Sequence, residues 1–319
     1  MYEIESLHMK GDQIILLNKG KNILLRIERN IRLYEKTEQS KYKLLHKIYT
    51  NESIIDLTML SNEMIIGTGR HTIIIYKKDE NSIYKEHQKI FNYNWAEIYR
   101  IKELENKNFA VCGWSGFMIF KIKDNDEQYE IILENNHDVN DDFHRISDFL
   151  EIKGKENNFI LYSDAKALII NGKDIINVIN LENDVPKCII CPRYICQLND
   201  ALFVLSGLRY ITLFNENTNQ IKKINFLKDD DFDIRRKKDF LNNVPSLFRY
   251  NSNYIILIAL EGIFIIRIIN DEKIQVQLRI SHKLVYYFDN EFNEEEKSIY
   301  FNENNFWKKL KIKSKYIGK

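Results

Sequence analysis

Ile66-Gly67-Thr68-Gly69-Arg70-His71-Thr72-Ile73-Ile74-Ile75-Tyr76-Lys77-Lys78 consists of two apolar runs around a short polar turn. Consecutive β-branched and aromatic residues read as strands, and the Gly-containing step between them reads as a tight turn. The unit recurs in altered form along the chain. Turns of the same kind fall near Arg29, Gly69, Ser115, Ala165, Leu208, Gly262 and Asn304, at intervals of 40 to 54 residues. Apolar runs flank each turn: residues 22–28 and 31–35, 64–67 and 72–77, 109–113 and 117–122, 159–163 and 167–171, 202–206 and 211–215, 254–260 and 263–268, 298–301 and 306–312.

These runs are continuous rather than alternating, which suits strands covered on both faces. Others alternate, as in Tyr84-Lys85-Glu86-His87-Gln88-Lys89-Ile90-Phe91 and Ile274-Gln275-Val276-Gln277-Leu278-Arg279-Ile280, and suit strands with one face in water. A repeat of roughly 45 residues with three inner strands and one outer strand is the sequence pattern of a propeller blade. The expected fold is therefore all-β, a seven-bladed β-propeller of four-stranded antiparallel blades, in one domain over residues 1–319. The seventh unit lacks an outer strand after residue 312. Residues 2–9 are extended and belong to no other blade, because the first inner strand falls at residues 13–17. They are expected to supply the missing strand and close the ring, removing two exposed sheet edges.

Composition narrows the function classes. With 47 basic and 46 acidic residues the net charge is +1, so no whole-protein field draws in nucleic acid or a membrane surface. The longest apolar runs, such as Tyr254-Ile255-Ile256-Leu257-Ile258-Ala259-Leu260, are far shorter than the ~20 residues of a spanning helix. Met1-Tyr2-Glu3-Ile4-Glu5-Ser6 has neither a basic leader nor an amphipathic Arg-rich character. Four cysteines in 319 residues make no disulfide framework. A cytoplasmic location is expected.

Ile31-Arg32-Leu33-Tyr34-Glu35, Ile73-Ile74-Ile75-Tyr76-Lys77 and Ile211-Thr212-Leu213-Phe214-Asn215 stand where WD40-type propellers carry an alternating strand ending in Trp-Asp. Over nearly its whole length the chain resembles that family, as a divergent member with neither Trp-Asp nor Gly-His dipeptides. The resemblance implies the propeller architecture.

Candidate chemistry is sparse. Cys188-Ile189-Ile190-Cys191, followed by Cys196, has ligand-like spacing, but on a strand residues three apart point to opposite faces, so no metal is expected there. The acidic stretches Asp138-Val139-Asn140-Asp141-Asp142 and Asp229-Asp230-Asp231-Phe232-Asp233 lack the ligand spacing and central Gly of a calcium loop. Ile234-Arg235-Arg236-Lys237-Lys238 places paired arginines near the junction of blades five and six, like the phosphoinositide-binding propellers, but without the Phe and Gly of their motif. Three preceding aspartates also disfavour an anionic headgroup. No phosphate loop, nucleophile elbow or zinc motif occurs, so no catalytic residue and no cofactor is expected. A propeller enzyme with a central-funnel site remains the alternative, and its mark would be two or more inward carboxylates within ~10 Å.

What remains is the face formed by the turns between second and third strands and by the loops leading into each blade. Arg70, His71, Trp95, Trp114, Arg209, Tyr210 and Glu261 fall there and are the expected partner-binding residues, since Trp and Arg dominate interface energetics. For Trp114 and Tyr210, packing between blades is an equal alternative. The expected function is that of a non-catalytic scaffold or adaptor subunit binding a protein or peptide partner in a multi-subunit assembly.

Overall fold

The computed structural model describes residues 2–7, 9–27, 29–39, 41–92, 96–114, 116–123, 128–135, 146–163, 166–180, 195–206, 210–226, 246–259, 262–270, 272–280, 291–293, 295–303 and 306–312. After β1 (Tyr2–Ser6), blade one comprises β2 (Gln13–Leu17), β3 (Asn22–Ile27), β4 (Asn30–Lys36) and β5 (Tyr42–Tyr49). Blade two follows with β6 (Asp56–Met59), β7 (Ile65–Thr68), β8 (Thr72–Lys78) and β9 (Tyr84–Phe91). Blade three has β10 (Ile98–Glu103), β11 (Phe109–Gly113), β12 (Gly116–Ile122) and β13 (Tyr129–Asn135). Blade four has β14 (Ile146–Glu151), β15 (Asn158–Ser163), β16 (Lys166–Asn171) and β17 (Asp174–Asn180). Blade five has β18 (Ile195–Gln197), β19 (Leu202–Ser206), β20 (Tyr210–Asn215) and β21 (Gln220–Asn225). Blade six has β22 (Ser246–Arg249), β23 (Tyr254–Ala259), β24 (Gly262–Asn270) and β25 (Lys273–Ile280). Blade seven has β26 (Glu291–Asn293), β27 (Ser298–Glu303) and β28 (Phe306–Ile312).

Strand order within each of the first six sheets follows the sequence, and every neighbouring pair is antiparallel. In the seventh sheet the fourth position is taken by β1, whose Tyr2 to Ser6 pair in register with Ile312 to Lys308 of β28. The strand is shorter than the 2–9 run of the sequence, because Met9 leaves the sheet and packs with Ile14, Ile23 and Trp307.

Burial explains the hydropathy pattern. The second strands β7, β11, β19 and β23 are buried at every residue, whereas the outer strands β5, β9 and β25 are largely exposed. The core is partitioned into clusters that each straddle two adjacent blades: Ile66 and Ile73 pack with Phe109 and Met118, for example, and Phe117 with Phe159 and Leu168. One further cluster joins blades seven and one, where Tyr300 and Trp307 pack on Ile23 and Leu25. Burying an Ile or Phe stabilises by about 1.5–3 kcal/mol, so the seams between blades, rather than any single blade, hold the array together.

Candidate functional site

The turn of blade two is built on backbone geometry. Gly69 N–H donates to the Thr72 carbonyl at 2.9 Å, and His71 adopts φ 65°, a left-handed conformation that His tolerates better than bulkier residues. From this turn the chain is tied to the segment leading into blade three. Asn92 N–H donates to the His71 carbonyl at 3.0 Å, and Arg70 forms an isolated antiparallel bridge with Glu97. The Thr72 hydroxyl donates to Glu52 at 2.6 Å, and Lys89 pairs with the same carboxylate. Burial pushes the Glu52 carboxyl up, but the Lys89 and Thr72 donors outweigh it and hold the group below its ordinary value.

Glu97 is a shared backbone support. The Trp114 N–H donates to its carbonyl at 2.9 Å, and Gly113 packs so closely on it that a Cβ would overlap the carbonyl oxygen. Arg70 and Trp114 therefore flank one residue, although they come from different blades. Arg70 is exposed, and Trp114 is 37% exposed. Tyr210 takes the packing alternative: it is 5% exposed, with the Lys223 ammonium 4.6 Å above its ring. It begins a third strand whose side chains are sandwiched between blades, so it serves packing. His71 is half-buried, its ring 6.4 Å from that of Phe91. Trp95, Arg209 and Glu261 lie outside the described residues, as do Cys188, Cys191, both acidic stretches and the Arg235–Arg236 pair.

A second polar assembly lies at the centre of the array, where the inner strands of all seven blades line a cavity of about 440 Å³. On the side of blades one to four it is a buried charge network. Asp56 accepts from Gln13 Nε2 and from the Ile101 N–H at 2.8 Å, and stands 3.8 Å from the Arg100 guanidinium. Arg100 also reaches Asp148 at 3.9 Å, and Asp148 accepts from Lys102 Nζ at 2.6 Å. Bulges between Ile98 and Arg100 and between Ile146 and Asp148 fall at matching places in blades three and four. A bulge re-aims the residue beside it; Arg100 lines the cavity, and Asp148 is fully buried against Arg100 and Lys102. Sequence reasoning missed this network. Its signal was a polar residue (Gln13, Asp56, Arg100, Asp148) in or beside an apolar inner run, recurring at blade-length intervals.

The two described thiols, Cys112 and Cys196, are buried. Cys196, on the cavity wall, is pushed up to about 12 by burial, against the opposing field of Arg249, and Cys112 lies well above its ordinary value for the same first reason. Among the described residues no group of His, Cys, Asp and Glu is arranged to hold a metal ion, and no helix is long and apolar enough to cross a membrane.

No family model and no curated protein matches the sequence. The fold has many relatives among solved structures. A chain of the Mitotic Checkpoint Complex superposes with TM-score 0.70 at 9% identity, covering 97% of this chain and 93% of its own. A catalytically inactive virginiamycin B lyase from Staphylococcus aureus, with quinupristin, gives 0.67 at 14% identity, covering 98% of this chain and 100% of its own. Sqt1 of Saccharomyces cerevisiae gives 0.61 at 10% identity, covering 98% of each chain. At such identities the likeness is one of fold, and by fold the chain is a seven-bladed β-propeller of four-stranded antiparallel blades.

Proposed function

We propose that this chain is a single propeller domain acting as a non-catalytic interaction module, an adaptor or subunit that engages a protein or peptide partner in a larger cytoplasmic assembly. The observation that carries the reading is the juxtaposition of Arg70 and Trp114 on either side of Glu97. A partly exposed indole and an exposed Arg, the one held by a backbone hydrogen bond to Glu97 and the other bridged to it, are a pre-ordered pair of the residue types that dominate binding energy. That a chain of similar fold sits in the Mitotic Checkpoint Complex is in keeping with this.

The enzyme alternative draws on the similar fold of the lyase and on the inward carboxylates of the channel. Asp56 and Asp148 do converge on one arginine, yet each is engaged by several donors or cations. A carboxylate committed to cations and donors in this way is a weaker base, which favours a structural role.

The test is affinity capture from native cells with wild type and the Arg70→Ala, Trp114→Ala double variant, after confirming that the variant is folded. Loss of a partner recovered by wild type supports the reading. Equal recovery moves the interface off this face.

A further inference from the structure

The central cavity is electrostatically lopsided. On the side of blades one to four, Arg100 and Lys102 are offset by Asp56 and Asp148, and the rim acid Glu103 is held by the Ser61 N–H at 3.0 Å. Across blades four, five and six the wall carries Lys153, Gln197 and Arg249. Among the described residues neither the Lys153 ammonium nor the Arg249 guanidinium has a carboxylate partner. Gln197 stands between them in blade order and is 6% exposed. Its Oε1 accepts the Lys153 backbone N–H at 3.3 Å, which orients the amide, and its Nε2, a donor, has no hydrogen-bond partner among the described residues. On the opposite wall Gln13, 3% exposed, gives its Nε2 to Asp56, and its Oε1 has no partner among the described residues.

Buried amide groups without partners are rare and costly, and a bound polar ligand removes that cost. A cavity of about 440 Å³ is within the range that holds small molecules. We infer that the channel of this propeller binds a small molecule bearing a carboxylate or phosphate oxyanion, held by Lys153, Gln197 and Arg249, with Gln13 accepting from a donor at its other end. The three adjacent blades supply two cations and one neutral donor, a set that matches an oxyanion and leaves a cation unfavoured. This site lies apart from the Arg70–Trp114 face, so the two assignments stand or fall separately.

The experiment is a thermal-shift and calorimetric titration of the full chain with inorganic phosphate and with succinate, against sodium chloride at matched ionic strength. A ligand that binds only the folded state raises the melting temperature saturably. One of the two anions should do so beyond the salt control, and which one distinguishes a phosphate from a carboxylate ligand. Arg249→Gln should weaken that binding by about tenfold or more, Lys153→Gln should weaken it less, and Arg70→Ala should leave it unchanged. Should Arg249→Gln not fold, Lys153→Gln, altered at an exposed side chain, decides the matter. No saturable shift with either anion, or equal binding by wild type and the folded channel variants, overturns the assignment.

Discussion

The indole Nε1 of Trp307 donates to the carbonyl of Gly11 at 3.1 Å, across 296 positions of sequence, and so ties the last hairpin of blade seven to the segment leading into blade one. Trp307 is fully buried in the seam between those blades. Trp307→Ala should cost about 3–5 kcal/mol, and Trp307→Phe, which keeps a ring but loses the bond, about 1–3 kcal/mol. Urea denaturation gives both values. A midpoint for Trp307→Phe equal to wild type would show that the bond contributes nothing.

Glu296 connects the same two blades, taking Lys36 of blade one at 2.7 Å and Lys309 of blade seven. Burial raises its carboxyl, but the hydrogen bonds from Lys309 and Lys36 dominate and bring it down to about 2 from 4.5. A depressed folded value means stability that is full above about pH 4.5 and declines as pH falls toward about 2. Because the group is partly exposed, solvent screening limits the contribution to about 1–2 kcal/mol. Glu296→Gln should thus be less stable than wild type at neutral pH, with the gap narrowing as pH drops from 4.5 to 2. A gap independent of pH over that window would remove the ion pairs as its cause.

Arg100 is buried between Asp56 and Asp148. Removing one partner of such a network leaves uncompensated buried charge, and Arg100→Leu should cost about 3–5 kcal/mol. Arg70→Ala, at an exposed turn, should stay within about ±0.5 kcal/mol. The contrast between two arginines of one chain, read by chemical denaturation, checks the assignment of one to the interior and the other to the face. Equal losses would contradict it.

Gly113 is the point where β11 touches the chain leading into blade three. A methyl group there meets the Glu97 carbonyl, so Gly113→Ala should cost about 1–3 kcal/mol by overpacking. It should also displace Trp114, whose N–H rests on the same carbonyl, and change partner binding. Difference fluorescence against a Trp114→Phe variant reads the indole directly. An unaltered Trp114 signal in Gly113→Ala would free the indole from that support.

Much of the fold was legible in the chain because its strands are local patterns. Ile65 to Lys78 alternates nowhere, and β7 and β8 are indeed enclosed by neighbouring blades. Tyr84 to Phe91 alternates with polar residues, and β9 is the outer strand. The pairing of Tyr2 with Ile312 followed from counting strands, since one unit was a strand short. The face was legible in part: turn positions put Arg70 and Trp114 on one side, but nothing in the local sequence shows that Tyr210 packs inward.

Sequence alone therefore determined the repeat, the strand types and the side on which each turn emerges, because these depend on periodicities of two residues and of one blade. Tertiary structure decided which residues meet. Gln13, Asp56, Arg100 and Asp148 read singly as polar residues near apolar runs, and only the convergence of inner strands on one axis makes them a network. Lys153, Gln197 and Arg249 likewise belong to three separate blades. Charge compensation acts over a few ångströms of space, and the chain carries no local mark of which charges will share that space.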